Sequence, residues 1–172
     1  MIKKVNKTAF AMLVIAAAVL TGCFKKVSRD TLFLIKPNLQ VESGGELTVA
    51  EGVKAYAWFN RTEPWSINSY EDAERFILTD SENGATETLQ PDAESVTLSD
   101  DGKEGLLELD TKSASVLLLV LYPEAGMYAW RVFETSENAS PTYLTVQLRT
   151  WKTDVYVDSG WTVGRKETGA LN

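Results

Sequence analysis

No histidine occurs anywhere in the 172 residues, and cysteine occurs once, as Cys23. A lone thiol forms no internal disulfide. Without imidazoles or further thiolates, the usual nitrogen and sulfur sites for zinc or copper cannot be assembled. Ser-His-Asp and Cys-His catalysis are excluded, and the commonest general acid–base group is missing. Carboxylates, lysines, tyrosines and serines remain, so a paired-carboxylate hydrolase or a Ser-Lys dyad stays open on composition. The G-x-S-x-G, S-x-x-K, G-x-x-x-x-G-K-[ST] and G-x-G-x-x-G patterns are all absent, which removes the familiar nucleophile and phosphate-loop signatures. No metal and no cofactor is expected. Long apolar runs are also lacking: the longest covers residues 9–20, short of the roughly 20 residues a membrane-spanning helix needs.

That run has a distinctive setting. Lys3, Lys4 and Lys7 precede it, and Leu20-Thr21-Gly22-Cys23 follows it. A basic start, a short apolar segment and small residues read as a secretory signal peptide, here a signal helix over residues 1–22. The last four residues resemble the lipobox of bacterial lipoprotein precursors. The resemblance implies diacylglyceryl transfer to the Cys23 thiol, cleavage after Gly22 and acylation of the new N-terminus. One acyl chain holds a protein only marginally, with K on the order of 10⁴ M⁻¹, whereas two or three make a stable anchor. Phe24, Lys25 and Lys26 follow the cysteine. An aspartate there would resemble an inner-membrane retention signal, and an acidic cluster would resemble a surface-export signal. Neither is present, and the outer membrane is the expected location, with its face undetermined. Residues 23–30 read as a lipidated tether, with Lys25, Lys26 and Arg29 either near head groups or in solvent.

The first 22 residues contain those three lysines and no acid, so 14 of the 17 basic side chains remain against 24 acidic ones, a net charge near −10. Such a surface disfavours nucleic acid and anionic lipid. It keeps a domain dispersed in solution.

Residues 31–164 read as one domain and 165–172 as a tail. Strands are expected at 31–35, stopped by Lys36-Pro37-Asn38, then at 39–42, 46–50 and 53–59. In the last of these, Val53, Ala55, Ala57 and Phe59 share one face, and Lys54, Tyr56 and Trp58 the other. A short helix is expected over 69–77. Asn68 would cap it with Glu71 three residues on, and Tyr70, Ala73, Phe76 and Ile77 would line its buried face. Asn83-Gly84 marks a hairpin. Residues 85–103 are polar, with a strand at 95–98. Further strands follow at 105–110, 115–122, 127–134, 142–151, 154–157 and 161–163. The apolar run 116–121 reads as the centre of a sheet covered on both faces. Many short strands, regularly spaced turns and one helix make the pattern of a mainly β fold, a single β-sandwich.

Two stretches carry a further resemblance. One is Trp65-Ser66-Ile67-Asn68-Ser69-Tyr70-Glu71-Asp72-Ala73. The other runs from Tyr122-Pro123 through Met127-Tyr128-Ala129-Trp130-Arg131 to Leu148-Arg149-Thr150-Trp151-Lys152 and Gly160-Trp161. They are similar to small uncharacterised envelope lipoproteins of Bacteroidota, which implies a transthyretin-like or immunoglobulin-like sandwich and brings no catalytic residue. The expected role is that of a non-catalytic, membrane-anchored binding or structural module, with envelope proteins or glycans as partners. An alternative is a glycan-binding accessory module that stacks sugars on Trp58, Trp65 or Trp161, the indoles placed at strand ends or in loops. A carboxylate-dependent hydrolase is the remaining alternative. The acidic turns at 80–84 and 100–104 do not match a twelve-residue calcium loop. Arg131 and Arg149 either hold a ligand carboxylate, pair with acids of the sheet, or stack on tryptophans.

Overall fold

The computed structural model describes residues 31–40, 45–98, 105–113, 115–134, 141–149, 157–158 and 160–167. The signal peptide, Cys23, the tether, the turn at 100–104 and Trp151 lie outside them. Over the described residues the fold is a mainly β sandwich with one short helix, as its pattern of strands and turns predicts.

The first sheet contains β1 (Thr31–Gln40), β2 (Thr48–Val49), β8 (Val96–Leu98), β9 (Leu106–Thr111) and β12 (Thr142–Arg149). Its order is β12-β1-β9-β8, with β2 also on β1, and β12 runs parallel to β1. The second sheet contains β3 (Lys54–Phe59), β7 (Ala93–Glu94), β10 (Ser115–Tyr122), β11 (Met127–Glu134), β13 (Val157–Asp158) and β14 (Trp161–Arg165), in the order β13-β14-β11-β10-β3-β7. A small third sheet contains β4 (Trp65–Ser66), β5 (Ile77–Asp80) and β6 (Thr86–Thr88), and the helix α1 (Tyr70–Arg75) lies between β4 and β5 in the chain.

The alternation of β10 explains the layering. Val116, Leu118 and Val120 pack with Phe33, Ile35, Leu107, Leu109, Val146 and Leu148 of the first sheet. Leu117, Leu119 and Leu121 point the other way, onto Ile67, Tyr70, Ala73 and Leu78 of the segment that carries α1 and the third sheet. A strand's side chains alternate between faces, so an unbroken apolar run fits only where both faces are covered. Each fully buried Leu or Val contributes about 1.5–3 kcal/mol. The second sheet is thus the middle of three layers.

Three local differences from the sequence expectation have clear causes. Pro37 does not stop β1, which continues to Gln40. The Pro37 carbonyl accepts from Ala50 N at 2.9 Å, and a strand residue's N–H and C=O point to the same side. The missing donor lies at the boundary where β9 pairing ends at Ile35 and β2 pairing begins at Asn38, so the proline sits at the junction of two ladders and not in the middle of either. The helix cap is Ser69 rather than Asn68. The Ser69 hydroxyl accepts from Asp72 N at 3.0 Å, while Asn68 instead accepts from the Ser66 hydroxyl at 3.1 Å. Both residue types cap well, so their adjacency made the sequence ambiguous by one position. At the other end Gly164 does not end the fold: β14 reaches Arg165, and Lys166 N donates to the Gly126 carbonyl at 2.8 Å. The polar segment 85–98 also holds two short strands, β6 and β7, that have no apolar pattern to announce them; all of β6 is exposed.

Candidate functional site

The three indoles singled out for sugar stacking have separate environments. Trp58, on β3, is 2% exposed and donates from Nε1 to the Leu89 carbonyl at 3.0 Å. Its side chain belongs to the layer between the second sheet and α1. Trp161 opens β14 and is fully buried between the two large sheets. Neither offers a ring face to solvent, because each meets a neighbouring layer at its strand position. Trp65, on β4, is half-buried against the α1 layer. The Arg61 guanidinium sits 4.9 Å above its ring centre, and Glu87 lies 3.6 Å from Arg61. Of the three candidates Trp65 alone is partly open, and one face of its ring carries an arginine.

The two arginines have different settings. Arg131 faces the sandwich interior, 5.0 Å from the Phe133 ring centre and 5.8 Å from that of Trp161. Burial pushes its pKa down from the usual guanidinium value. A β-carbon at Gly160 would lie 3.3 Å from the Arg131 Nη2 atom, so the turn before β14 closes tightly over this cation. Stacking, the third of the roles expected for Arg131, is among its contacts. Arg149 donates from Nη2 to the Gln147 side-chain oxygen at 3.0 Å.

The acidic turn at 80–84 is a hairpin tip. The Asp80 carboxylate accepts from Glu82 N at 2.9 Å and from Asn83 Nδ2 at 2.8 Å, and Asn83 Oδ1 accepts from Ala85 N at 2.8 Å. These bonds close the turn around Gly84, whose φ is 71°. Among the described residues no group of three acidic, histidine or cysteine side chains is arranged to hold a metal ion.

A concavity lies at one end of the sandwich. It is an open groove of about 620 Å³ between the β10–β11 turn, residues 123–126, and residues 165–167. Its lining carries both signs of charge, with Glu124 on the turn and Arg165, Lys166 and Glu167 on the other side. Burial lowers the Arg165 pKa. The Lys166 ammonium lies 5.4 Å from the Tyr70 ring centre. Tyr122, at the end of β10, has its pKa raised by burial first and then by the nearby Glu124 carboxylate. Mixed charge on backbone turns suits recognition of a polar partner. The sequence missed this groove because it joins a turn to residues expected to fray. The one available signal was the glycine at 126, whose φ of 57° lets the turn curl toward Lys166.

Comparison with known protein families, with curated proteins and with solved structures gives no match.

Proposed function

We propose that this chain is a lipid-anchored envelope protein whose β-sandwich serves as a binding or structural module and not as a catalyst. One observation carries the reading. The only cysteine follows a basic start, an apolar run and Leu20-Thr21-Gly22, and it opens an eight-residue tether, 23–30, that leads to β1 at Thr31. The position after that tripeptide is the one where a thiol is consumed by lipid, which removes the liability of a free surface cysteine in an oxidising compartment. The rest of the sequence adds support. Without histidine, the acid–base work of a hydrolase would fall on carboxylates, lysines or tyrosines. The outer membrane is the proposed location, and Bacteroidota lipoproteins are the proposed kin.

The anchor is tested by mass spectrometry of protein extracted from membranes. The N-terminal peptide should begin at residue 23 and carry diacylglyceryl, and a Cys23→Ser variant should leave the membrane fraction. An unmodified peptide beginning elsewhere would refute the anchor. The non-catalytic role is tested on polysaccharide and peptide panels, where no turnover is expected. Reproducible product release abolished by one carboxylate substitution would make the protein a hydrolase.

A further inference from the structure

On the outer face of the first sheet, one row of side chains crosses four strands. Leu34 of β1 stands beside Tyr143 of β12 on one side and Glu108 of β9 on the other, and Glu108 stands beside Val96 of β8. Phe33 and Ile35 enter the core, so Leu34 and its row point away from it. Val96 and Tyr143, 60% and 69% exposed, are the large hydrophobic side chains left open to solvent among the described residues. They bracket Leu34, which is 6% exposed. The row lies three residues along β1 from Thr31, about 10 Å from the end of the sheet.

That end is also where the chain arrives from Cys23. Eight residues, 23–30, precede Thr31, and a fully extended chain of that length reaches about 28 Å at most. The tether enters the very strand that carries Leu34. The opposite end of the sandwich holds the β10–β11 turn: β9 ends beside Thr31, β10 starts a few residues later and runs away from it. Eight residues of β10 put that turn about 25 Å farther along.

We propose that the half of this outer face nearest Thr31, centred on Leu34 and bounded by Val96 and Tyr143, rests on the head-group region of a lipid bilayer, leaving the groove at residues 123–126 and 165–167 turned outward. The inference builds on the lipid anchor at Cys23. Tyrosine favours the membrane–water interface, where its ring is apolar and its hydroxyl wet. The face carries both signs of charge, with exposed Lys36 and Asp110 beside half-buried Glu108, and the processed chain is acidic. Such a surface matches a zwitterionic bilayer and is repelled by an anionic one.

The test uses the lipidated full-length chain in phosphatidylcholine vesicles. Cys23 is blocked by lipid, so Tyr143→Cys and Glu124→Cys each supply one reactive thiol at an exposed position for a polarity-sensitive fluorophore. Lipids spin-labelled on the head group should quench the label at 143 at least twofold more strongly than the label at 124. Equal or reversed quenching on a lipidated protein overturns the orientation and leaves the anchor standing. A protein that lacks acyl mass at residue 23 overturns both. Protection of position 143 that appears only as protein density on the vesicle rises would mean a second copy covers the face, which also overturns the proposal.

Discussion

The Tyr128 ring occupies the space that a side chain at Gly164 would need: a β-carbon there would fall 2.4 Å from the ring edge at Cε1. The two residues are directly opposed across β11 and β14. Gly164 is thus required by contact, since an aromatic ring lies across a strand position otherwise open to any residue. Gly164→Ala should displace Tyr128 from its contact with Tyr70, whose ring centre is 6.5 Å away. Overpacking of this kind costs about 1–3 kcal/mol. Urea unfolding of the Gly164→Ala and Gly164→Ala/Tyr128→Leu chains checks the cause. The second substitution should recover part of the loss, and full additivity of the two would refute the steric account.

Phe76 presents the opposite case, a large residue where glycine is the natural choice. It ends α1 in the left-handed region, at φ 58° and ψ 43°, which costs a non-glycine residue roughly 1–2 kcal/mol. Its ring is held edge-on by Tyr56 at 5.0 Å and Trp58 at 5.9 Å. Phe76→Ala should destabilise strongly, losing the aromatic packing and keeping the strain. Phe76→Gly should be the milder of the two by about 1 kcal/mol, because glycine enters this region freely. That order reverses the usual advantage of alanine over glycine near a helix. Thermal or denaturant melts that place alanine above glycine would show that the backbone at position 76 relaxes when the ring is removed.

The helix itself was legible because polar and apolar residues recur at its period, yet its cap was misread by one residue. Ser69→Ala should cost about 0.5–2 kcal/mol, while Asn68→Ala, which loses only the bond from the Ser66 hydroxyl, should cost less. Equal losses would restore the cap to Asn68.

The sandwich was readable where a side-chain period writes itself into the sequence. The unbroken 116–121 run announced a doubly covered strand, and the alternation at Val53, Ala55 and Ala57 announced the strand beside it. β6 and β7 were not readable, since exposed short strands such as Thr86–Thr88 are held by backbone pairing to β5 and carry no apolar pattern. Nor was the burial of Trp58 and Trp161. A sequence places an indole at a strand end, but whether a neighbouring layer closes over it depends on contacts between distant segments, here the Leu89 carbonyl for Trp58. The continuation of β1 through Pro37 depends in the same way on where β9 ends and β2 begins.

Four tyrosines link stability to alkaline pH. Tyr56, Tyr70, Tyr122 and Tyr128 each have a pKa raised above the ordinary value of 10.0, with burial as the leading cause. For Tyr56 the second cause is Glu94, for Tyr70 it is Glu74, for Tyr122 it is Glu124, and for Tyr128 it is Asp72. Below pH 10 both folded and unfolded chains keep these phenols neutral, and stability is undiminished. Above it the unfolded chain releases its protons first, so stability falls as pH rises toward the folded-state values. Absorbance titration of the folded protein should show phenolate forming later than in urea, and Tyr128→Phe should reduce the alkaline loss. A native titration that coincides with the unfolded one would contradict the burial of these hydroxyls.

Tryptophan accessibility separates the two binding readings. Trp58 and Trp161 are closed to solvent, whereas Trp65 is half-buried with Arg61 over its ring. Acrylamide should quench the wild-type fluorescence only in part. Trp65→Phe should lower the accessible fraction, and Trp161→Phe, which removes a protected emitter, should raise it. A soluble glycan that shields the wild-type protein, and has no effect on the Trp65→Phe chain, would establish a sugar contact at Trp65 despite the arginine above it. With no glycan response, partners must be sought at the mixed-charge groove around Glu124 and Lys166. There Lys166→Glu would reverse one of the two groove cations, and a polar partner recovered by the wild-type chain should be lost from the variant at physiological salt.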